Sequence, residues 1–337
     1  MTRVKRIAAR ISGWERFLIV LVAAAFVAGS VSSPFFLSAG NFRGAVSDTM
    51  EIAIMALAMT MVIIAREIDL SVASIFGLSS VVLGLLSDAG LPIALALVAV
   101  LAVGALAGSL NAALIVRIGV PSIVVTIGTL ALFRGLGFGL FGTKSVSEFP
   151  SWFTQIGFGA VPGTQLPWSL VIFGVLFAAC ALVLHRSYAG RQLYAIGLSA
   201  ETARFSGVKV QRIRTALFVF SGLLAAIAAI VYTARVSSVR ADNGTGLELQ
   251  VIAAVLLGGV SIFGGRGSLF GVLLSVVLIG VLRNVFTLQD VGGSVQDIVI
   301  GALMVSAVVL PEMVSRARGR FSRARGVPAP QPGLETP

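Results

Sequence analysis

Pro92-Ile-Ala-Leu-Ala-Leu-Val-Ala-Val-Leu-Ala-Val-Gly-Ala-Leu-Ala-Gly-Ser-Leu-Asn-Ala-Ala-Leu-Ile-Val116 runs for 25 residues without a charge. A helix of that length crosses a hydrocarbon core about 30 Å thick. Arg117 and the turn residues Gly119 and Pro121 follow at once, so the run ends as a membrane span ends.

Nine further apolar segments read the same way: about 17–36, 49–65, 70–87, 120–141, 167–185, 213–233, 249–264, 268–286 and 294–311. The expected fold class is all-α, a polytopic membrane helix bundle of about ten transmembrane helices. Composition agrees. Of 337 residues 57% are hydrophobic and 12% charged, with a mean hydropathy of +1.00. A soluble chain of this length needs more charge to cover its surface.

Ten spans put both termini on one side, and the basic residues choose which. Arg3, Lys5, Arg6, Arg10 and Arg16 precede the first span. Arg186, Arg191, Arg204, Lys209, Arg212 and Arg214 lie between spans six and seven, and Arg316, Arg318, Arg320, Arg323 and Arg325 follow the last. Arg66, Arg117 and Arg266 mark short turns on the same side, which therefore holds 19 of the 25 Lys and Arg residues. The other side has only Arg43, Lys144, Arg235, Arg240 and Arg283, while Arg134 falls inside a span. By the positive-inside bias the termini are cytoplasmic. A net charge of +11 distributed this way sets topology, and no basic face interleaved with aromatics points to nucleic acid.

The first segment has the outline of a signal peptide, with small residues at Ala28, Gly29 and Ser30. Its apolar stretch, however, continues from Phe17 to Leu37, long enough to span. The expected organisation is a basic cytoplasmic N-terminus (1–16), a transmembrane domain (17–311) with a cytoplasmic segment at 186–212, and a basic, Pro-rich, disordered tail (312–337). Cys180, the one cysteine, has no disulfide partner in the chain and reads as a small apolar-face residue.

Spans two to five and seven to ten are offset by five crossings, so a repeat relating them is inverted. Span four carries Gly104, Gly108 and Asn111, and span nine carries Gly271, Gly280 and Asn284, each pattern ending on an asparagine. Chance produces such matches almost as readily in a chain with 38 glycines. Close glycine spacing also lets helix backbones approach one another, which supports the fold and leaves the function open.

The segment between spans six and seven carries the most information. Ser199 is a good N-cap, Ala200–Phe205 can form a short helix, and Ser206-Gly207 stops it. A short helix on the inner face is something a partner protein can grip; the plainer alternative is a basic loop attracted to anionic lipid.

Four stretches, in order over about residues 49–311, resemble ribose-type sugar ATP-binding-cassette (ABC) permeases. They are Glu67-Ile-Asp-Leu-Ser-Val72, Val120-Pro-Ser-Ile-Val-Val-Thr-Ile-Gly-Thr129 with Arg134-Gly135, the inner segment, and Ala254-Val-Leu-Leu-Gly-Gly-Val-Ser-Ile-Phe-Gly-Gly-Arg-Gly-Ser268. The resemblance implies that the inner segment engages an ATPase through Ala195, Gly197, Glu201, Ala203, Ser206 and Gly207. Where the family often has glycine, this chain has Arg66-Glu67 and Ala73. Its Glu-Ile-Asp-Leu-Ser-Val-Ala-Ser form is more similar to rhamnose- or autoinducer-type permeases. The resemblance further implies an ABC ATPase subunit, an extracytoplasmic solute-binding protein and a second permease copy or paralogue as partners, in a bacterial plasma (inner) membrane. The solute expected is a monosaccharide or similar small polar molecule.

Asp69 either orients a solute hydroxyl or gate, or caps the helix that follows it; the cap is the simpler role. Arg134 pairs within the bundle or faces a watery path. Asn111, Thr126, Thr129, Gln250, Asn284 and Gln296 either hydrogen-bond a passing solute or join helices. With Asp69, the residues Asn111, Thr126, Thr129 and Asn284 are the translocation-path candidates. The outer loop 142–166 holds Glu148, Trp152 and Phe153, with Trp168 just beyond, and either anchors the interface or docks a solute receptor.

No Walker pattern occurs; Gly142-Thr-Lys-Ser145 lacks the Gly-Lys pair. His185 has no co-ligands for a metal, and no cofactor is expected. ATP is then hydrolysed on another chain. An ion-coupled secondary transporter is the alternative, but Asp69, Glu51 and Asp297 are few and lie near span ends. A membrane enzyme would cluster His, Asp or Cys at one depth, and this chain does not.

Overall fold

Ser12 opens the first helix with a reciprocal cap: its hydroxyl accepts the Glu15 amide at 3.1 Å, and the Glu15 carboxylate accepts the Ser12 amide at 2.7 Å. The computed structural model describes residues 12–303, 305 and 306, and all regular elements among them are helical. In chain order they are α1 (Gly13–Ser32), α2 (Ala39–Ser47), α3 (Met50–Ile64), α4 (Val72–Asp88), α5 (Ile93–Ala112), α6 (Ser122–Phe141) and α7 (Ser151–Phe158). Then follow α8 (Trp168–Arg186), α9 (Tyr188–Leu198), α10 (Ala200–Phe205), α11 (Val210–Val236), α12 (Leu247–Leu257), α13 (Leu269–Leu288) and α14 (Gly293–Leu303). A wide π turn, Ala113–Ile118, continues α5. Two isolated bridges, Val146–Val239 and Ala160–Pro167, pair extended backbone in the loops.

Helices dominate because lipid offers no partners for free amides and carbonyls, so each segment must satisfy its own. Among the described residues six helices are long and apolar enough to cross a membrane, and α2 with α3, bent by 42°, makes a seventh. The shorter apolar helices α4, α12 and α14 occupy the remaining predicted positions. The departure in length falls at 249–264, where α12 stops at Leu257 and an irregular turn runs to Ser268. Hydropathy sees Val260, Ile262 and Phe263 there and reads on. The backbone does not, because Gly259, Gly264, Gly265 and Gly267 all take positive φ. The four basic residues of segment 1–10, the end of the last predicted span and the tail 312–337 lie outside the described residues.

The bundle is built round α3 and α11. Every residue of α3 is buried, as expected of a helix that is apolar on all sides. The 27-residue α11 packs on α3, α4 and α5. Its approach to α5 is backbone to backbone: a methyl group on Gly104 would overlap the Gly222 carbonyl and lie 2.7 Å from Ala226 Cβ, and one on Gly108 would overlap the Phe218 carbonyl. Small residues at both surfaces permit this. By contrast α6 and α8 turn Ile123, Val124, Ile127, Leu132, Val175 and Leu182 outward, the arrangement lipid favours.

Two ends are distinguishable. At one, the start of α1, the end of α3, the π turn, the α8–α11 connection and the α12–α13 turn meet. Arg16, Arg66, Arg117, Arg186, Arg191, Arg204, Lys209, Arg212, Arg214 and Arg266 belong to these segments, and it is called the basic end below. The opposite end holds the α2–α3 bend, the loop 142–166 and the segment 237–246.

Candidate coupling face and polar break

The connection from α8 to α11, read from sequence as a loop with one short helix, contains two helices. Ser187 caps α9 by accepting the Gly190 amide at 3.2 Å. Gly190 itself lies against the Leu184 carbonyl, where a methyl group would overlap, so the chain folds sharply back. The helix is amphipathic: Leu193 and Ile196 are buried, while Tyr188, Arg191 and Leu198 face outward. Ser199 ends α9 and caps α10, accepting the Thr202 amide at 3.2 Å. Gly207, at φ +84, closes α10. The expected helix 200–205 and its cap are thus present as read.

Among the predicted coupling residues, Gly197 and Ala203 are buried, Ala195 is partly so, and Glu201, Ser206 and Gly207 are exposed. Gly197 sits where α9 meets the ends of both broken segments. A methyl group there would overlap the Ile64 carbonyl and the Gly265 amide. Those two groups already bond each other, Gly265 N–H to Ile64 O, at 2.8 Å. The Tyr194 hydroxyl donates to the Gly267 carbonyl at 2.8 Å, a second tie between α9 and the α12–α13 turn. Movement of α9 therefore bears directly on both breaks. Phe205 at 85% exposure and Phe263 at 78% present apolar rings at this end; the sequence reading did not single out either.

The break between α3 and α4 begins at Arg66, whose φ is +64. Asp69 is fully buried within it. One carboxylate oxygen accepts the Ser71 amide at 3.0 Å and the Ser71 hydroxyl at 2.6 Å; the other accepts the Ser221 hydroxyl of α11 at 2.6 Å. Asn111 of α5 donates to the Ser71 hydroxyl at 2.7 Å. Asp69 thus turns the chain into α4, as a cap would, and also binds α11, which local sequence did not reveal. The Asn111 amide oxygen, fully buried, has no partner in the structure. From α6, the Ser122 hydroxyl accepts the Ile68 amide of the break at 3.3 Å, and Thr126 accompanies it, donating to the Ser122 carbonyl at 2.8 Å and to the Ile68 carbonyl at 3.3 Å. Glu67 is buried and paired with Arg214 of α11 at 2.7 Å. Arg66, Glu67, Ile115, Val120, Ser122 and Gln211 line a cavity of about 580 Å³ that opens here.

The α12–α13 turn is held from its other side by α1. The Trp14 indole donates to the Leu257 carbonyl at 2.8 Å, and Ser268 donates to the Glu15 carboxylate at 2.5 Å.

The remaining candidates lie apart from this network. Thr129 donates to its own helix at Val125, 3.1 Å. Asn284 exchanges two hydrogen bonds with Asn41 at 2.7 and 2.9 Å, joining α13 to α2. Gln296 donates to the Val291 carbonyl at 2.9 Å. Arg134 bonds the Thr245 hydroxyl and lies 3.7 Å from Glu248, so it pairs within the bundle. At the opposite end Arg235 holds Asp48 at 2.6 Å and buried Glu51 at 2.9 Å.

Residues 41–308 match the family described as branched-chain amino acid transport system / permease component. The chain is 36% identical over 303 residues to the autoinducer 2 import system permease protein LsrD of Photorhabdus laumondii, covering 88% of this chain and 90% of that protein. It is 35% identical to the LsrD protein of Photorhabdus luminescens, with the same coverage. With the LsrD protein of Escherichia coli K12 it shares 36% identity over 88% of this chain and 91% of the relative. No solved structure matches the chain. Importers of this kind hydrolyse ATP on a separate subunit and take solute from a binding protein. The helical bundle, the two broken segments and these matches lead to one conclusion: the chain belongs to this family and is a multi-pass membrane permease subunit of a bacterial ABC importer.

Proposed function

We propose that this subunit forms the path for a small, polar, sugar-like solute and is driven by an ATPase gripping α9 and α10 from the cytoplasm. The contact of Gly197 with Ile64 and Gly265 carries the reading. It connects the amphipathic α9 at the basic end to both breaks, so that a displacement of α9 by a closing ATPase dimer shifts them together. A nucleotide moves such an element only by its different affinity for the two states. Exposed Glu201, Phe205 and Ser206 are the surface offered to the ATPase; Ala195, Gly197 and Ala203 transmit, and Gly207 ends the helix.

The basic end is the cytoplasmic one by charge bias, and ten crossings, with α4, α12 and α14 as short ones, follow from the same assignment. The inverted repeat pairs the α3–α4 break at the basic end with the α11–α12 connection at the opposite end, as an inversion requires. Asp69, Ser71, Asn111 and Thr126 lie on the solute's side of the break, where the free Asn111 oxygen is a ready acceptor for a hydroxyl; Thr129 and Asn284 belong to the path's walls. Relatives named for autoinducer 2 import support a compact, polyhydroxylated solute. A single α9–α10 unit serves one ATPase cleft, so two permease copies, or one with a paralogue, assemble. The loop 142–166, with Trp152 half exposed, receives the binding protein.

The test is uptake of labelled solute in cells carrying the full importer, with Glu201→Arg combined with Phe205→Glu. Both side chains are exposed, so the protein is expected to insert normally, fail to retain the ATPase on purification and lose uptake. Full ATP-driven uptake by this variant would refute the assignment.

A further inference from the structure

We infer that the flank of the bundle carries a built site for one anionic phospholipid of the leaflet at the basic end. The site is a groove of about 390 Å³ between α8, α9 and α11, floored by Met61, Cys180, Leu193 and Leu217. Its rim is made of Ala179, Val183, Ala189 and Ala216, all exposed. Three alanines and a valine on rims where neighbouring turns carry leucine and phenylalanine leave a slot that no side chain of the described residues fills. The lining is almost wholly apolar, so the occupant within it is a hydrocarbon chain.

The end of the slot specifies what the chain is attached to. Arg186 lies three residues beyond Val183 on α8, and Arg212 four residues before Ala216 on α11. At those spacings each arginine shares a helix face with the rim, one turn nearer the basic end. Both are exposed, and neither makes an ion pair among the described residues. An apolar slot closed by two free guanidinium groups at membrane-surface depth complements an acyl chain carrying a phosphate headgroup. The slot also lies under α9, through Ala189 and Leu193, so its occupant braces that helix from the side. This inference needs only the membrane placement and does not depend on which partner works α9.

The experiment is native mass spectrometry of the purified subunit in detergent, titrated with phosphatidylglycerol or phosphatidylcholine. Phosphatidylglycerol is expected to be retained about thirtyfold more tightly, the preference two arginines at an anionic headgroup supply. Arg186→Gln with Arg212→Gln should abolish that preference, and Ala216→Trp, which fills the slot, should remove one bound lipid of either kind. Because Ala216 is exposed, circular dichroism is expected to show that variant folded. Equal retention of the two lipids by the unmodified protein, or an unchanged bound count with Ala216→Trp, would overturn the inference. So would a disulfide between copies formed by Val183→Cys in a Cys180→Ala background, since the groove would then be covered by a second permease. Solute uptake is a separate readout, so loss of the lipid site and loss of the transport role are distinguishable.

Discussion

Gly197 and Ile64, separated by 133 positions in the chain, touch through backbone alone: no side chain larger than hydrogen fits at Gly197 without displacing the Ile64 carbonyl. The same carbonyl accepts the Gly265 amide. Three segments that never approach one another in sequence are thus locked at one point, and it lies beneath the two short helices that leave the bundle.

Substitution of Gly197 by alanine is therefore expected to cost about 1–3 kcal/mol, the usual penalty for forcing atoms into a filled site. Thermal unfolding in detergent should show a lower midpoint, and ATPase activity should no longer respond to the solute-loaded binding protein. Gly128→Ala is the control, since a methyl group there meets nothing within 4 Å. An unchanged midpoint for Gly197→Ala would mean that α9 rests more loosely on the breaks than described.

Asp69→Leu removes three hydrogen bonds and strands Ser221 and Ser71 in the interior, at an expected cost of about 2–4 kcal/mol. Ser221→Ala, which removes a single bond, should cost about 1 kcal/mol. A double-mutant cycle read by thermal unfolding is expected to show coupling between the two positions; additive effects would separate them.

Arg235→Gln leaves Glu51 buried with its charge uncompensated, and the loss expected is about 3–5 kcal/mol. Combining it with Glu51→Gln should restore much of the stability. A double variant no better than the single would show that stacking of the Arg235 guanidinium on Tyr232, 5.5 Å from the ring centroid, matters more than its pairing with Glu51.

Gly108→Leu drives a side chain into the Phe218 carbonyl and is expected to prevent accumulation of folded protein in the membrane. Gly135→Leu, on an open face of α6, should accumulate normally. Immunoblots of membrane fractions distinguish the pair.

Much of the architecture was legible because lipid imposes a simple code: a charge-free run such as 92–116 has few other fates. Ser199 and Phe205 bound a helix by local capping, and that too could be read directly. The helix α9 was missed because Gly190 and Gly197 lower helix propensity; here both are used for close backbone contact. The early end of α12 was missed because hydropathy does not register backbone conformation. The Ser221 partner of Asp69 and the charged partners of Glu67, Glu51 and Arg134 lie between 114 and 184 positions away in the chain, and no local pattern announces such pairs.

The most direct test of the account replaces Phe205 by cysteine in a Cys180→Ala background and measures its reaction with a membrane-impermeant maleimide. No labelling is expected in intact cells, rapid labelling in inverted vesicles stripped of the ATPase, and protection when the ATPase is added back. Labelling from outside intact cells, or equal labelling with and without the ATPase, would contradict it.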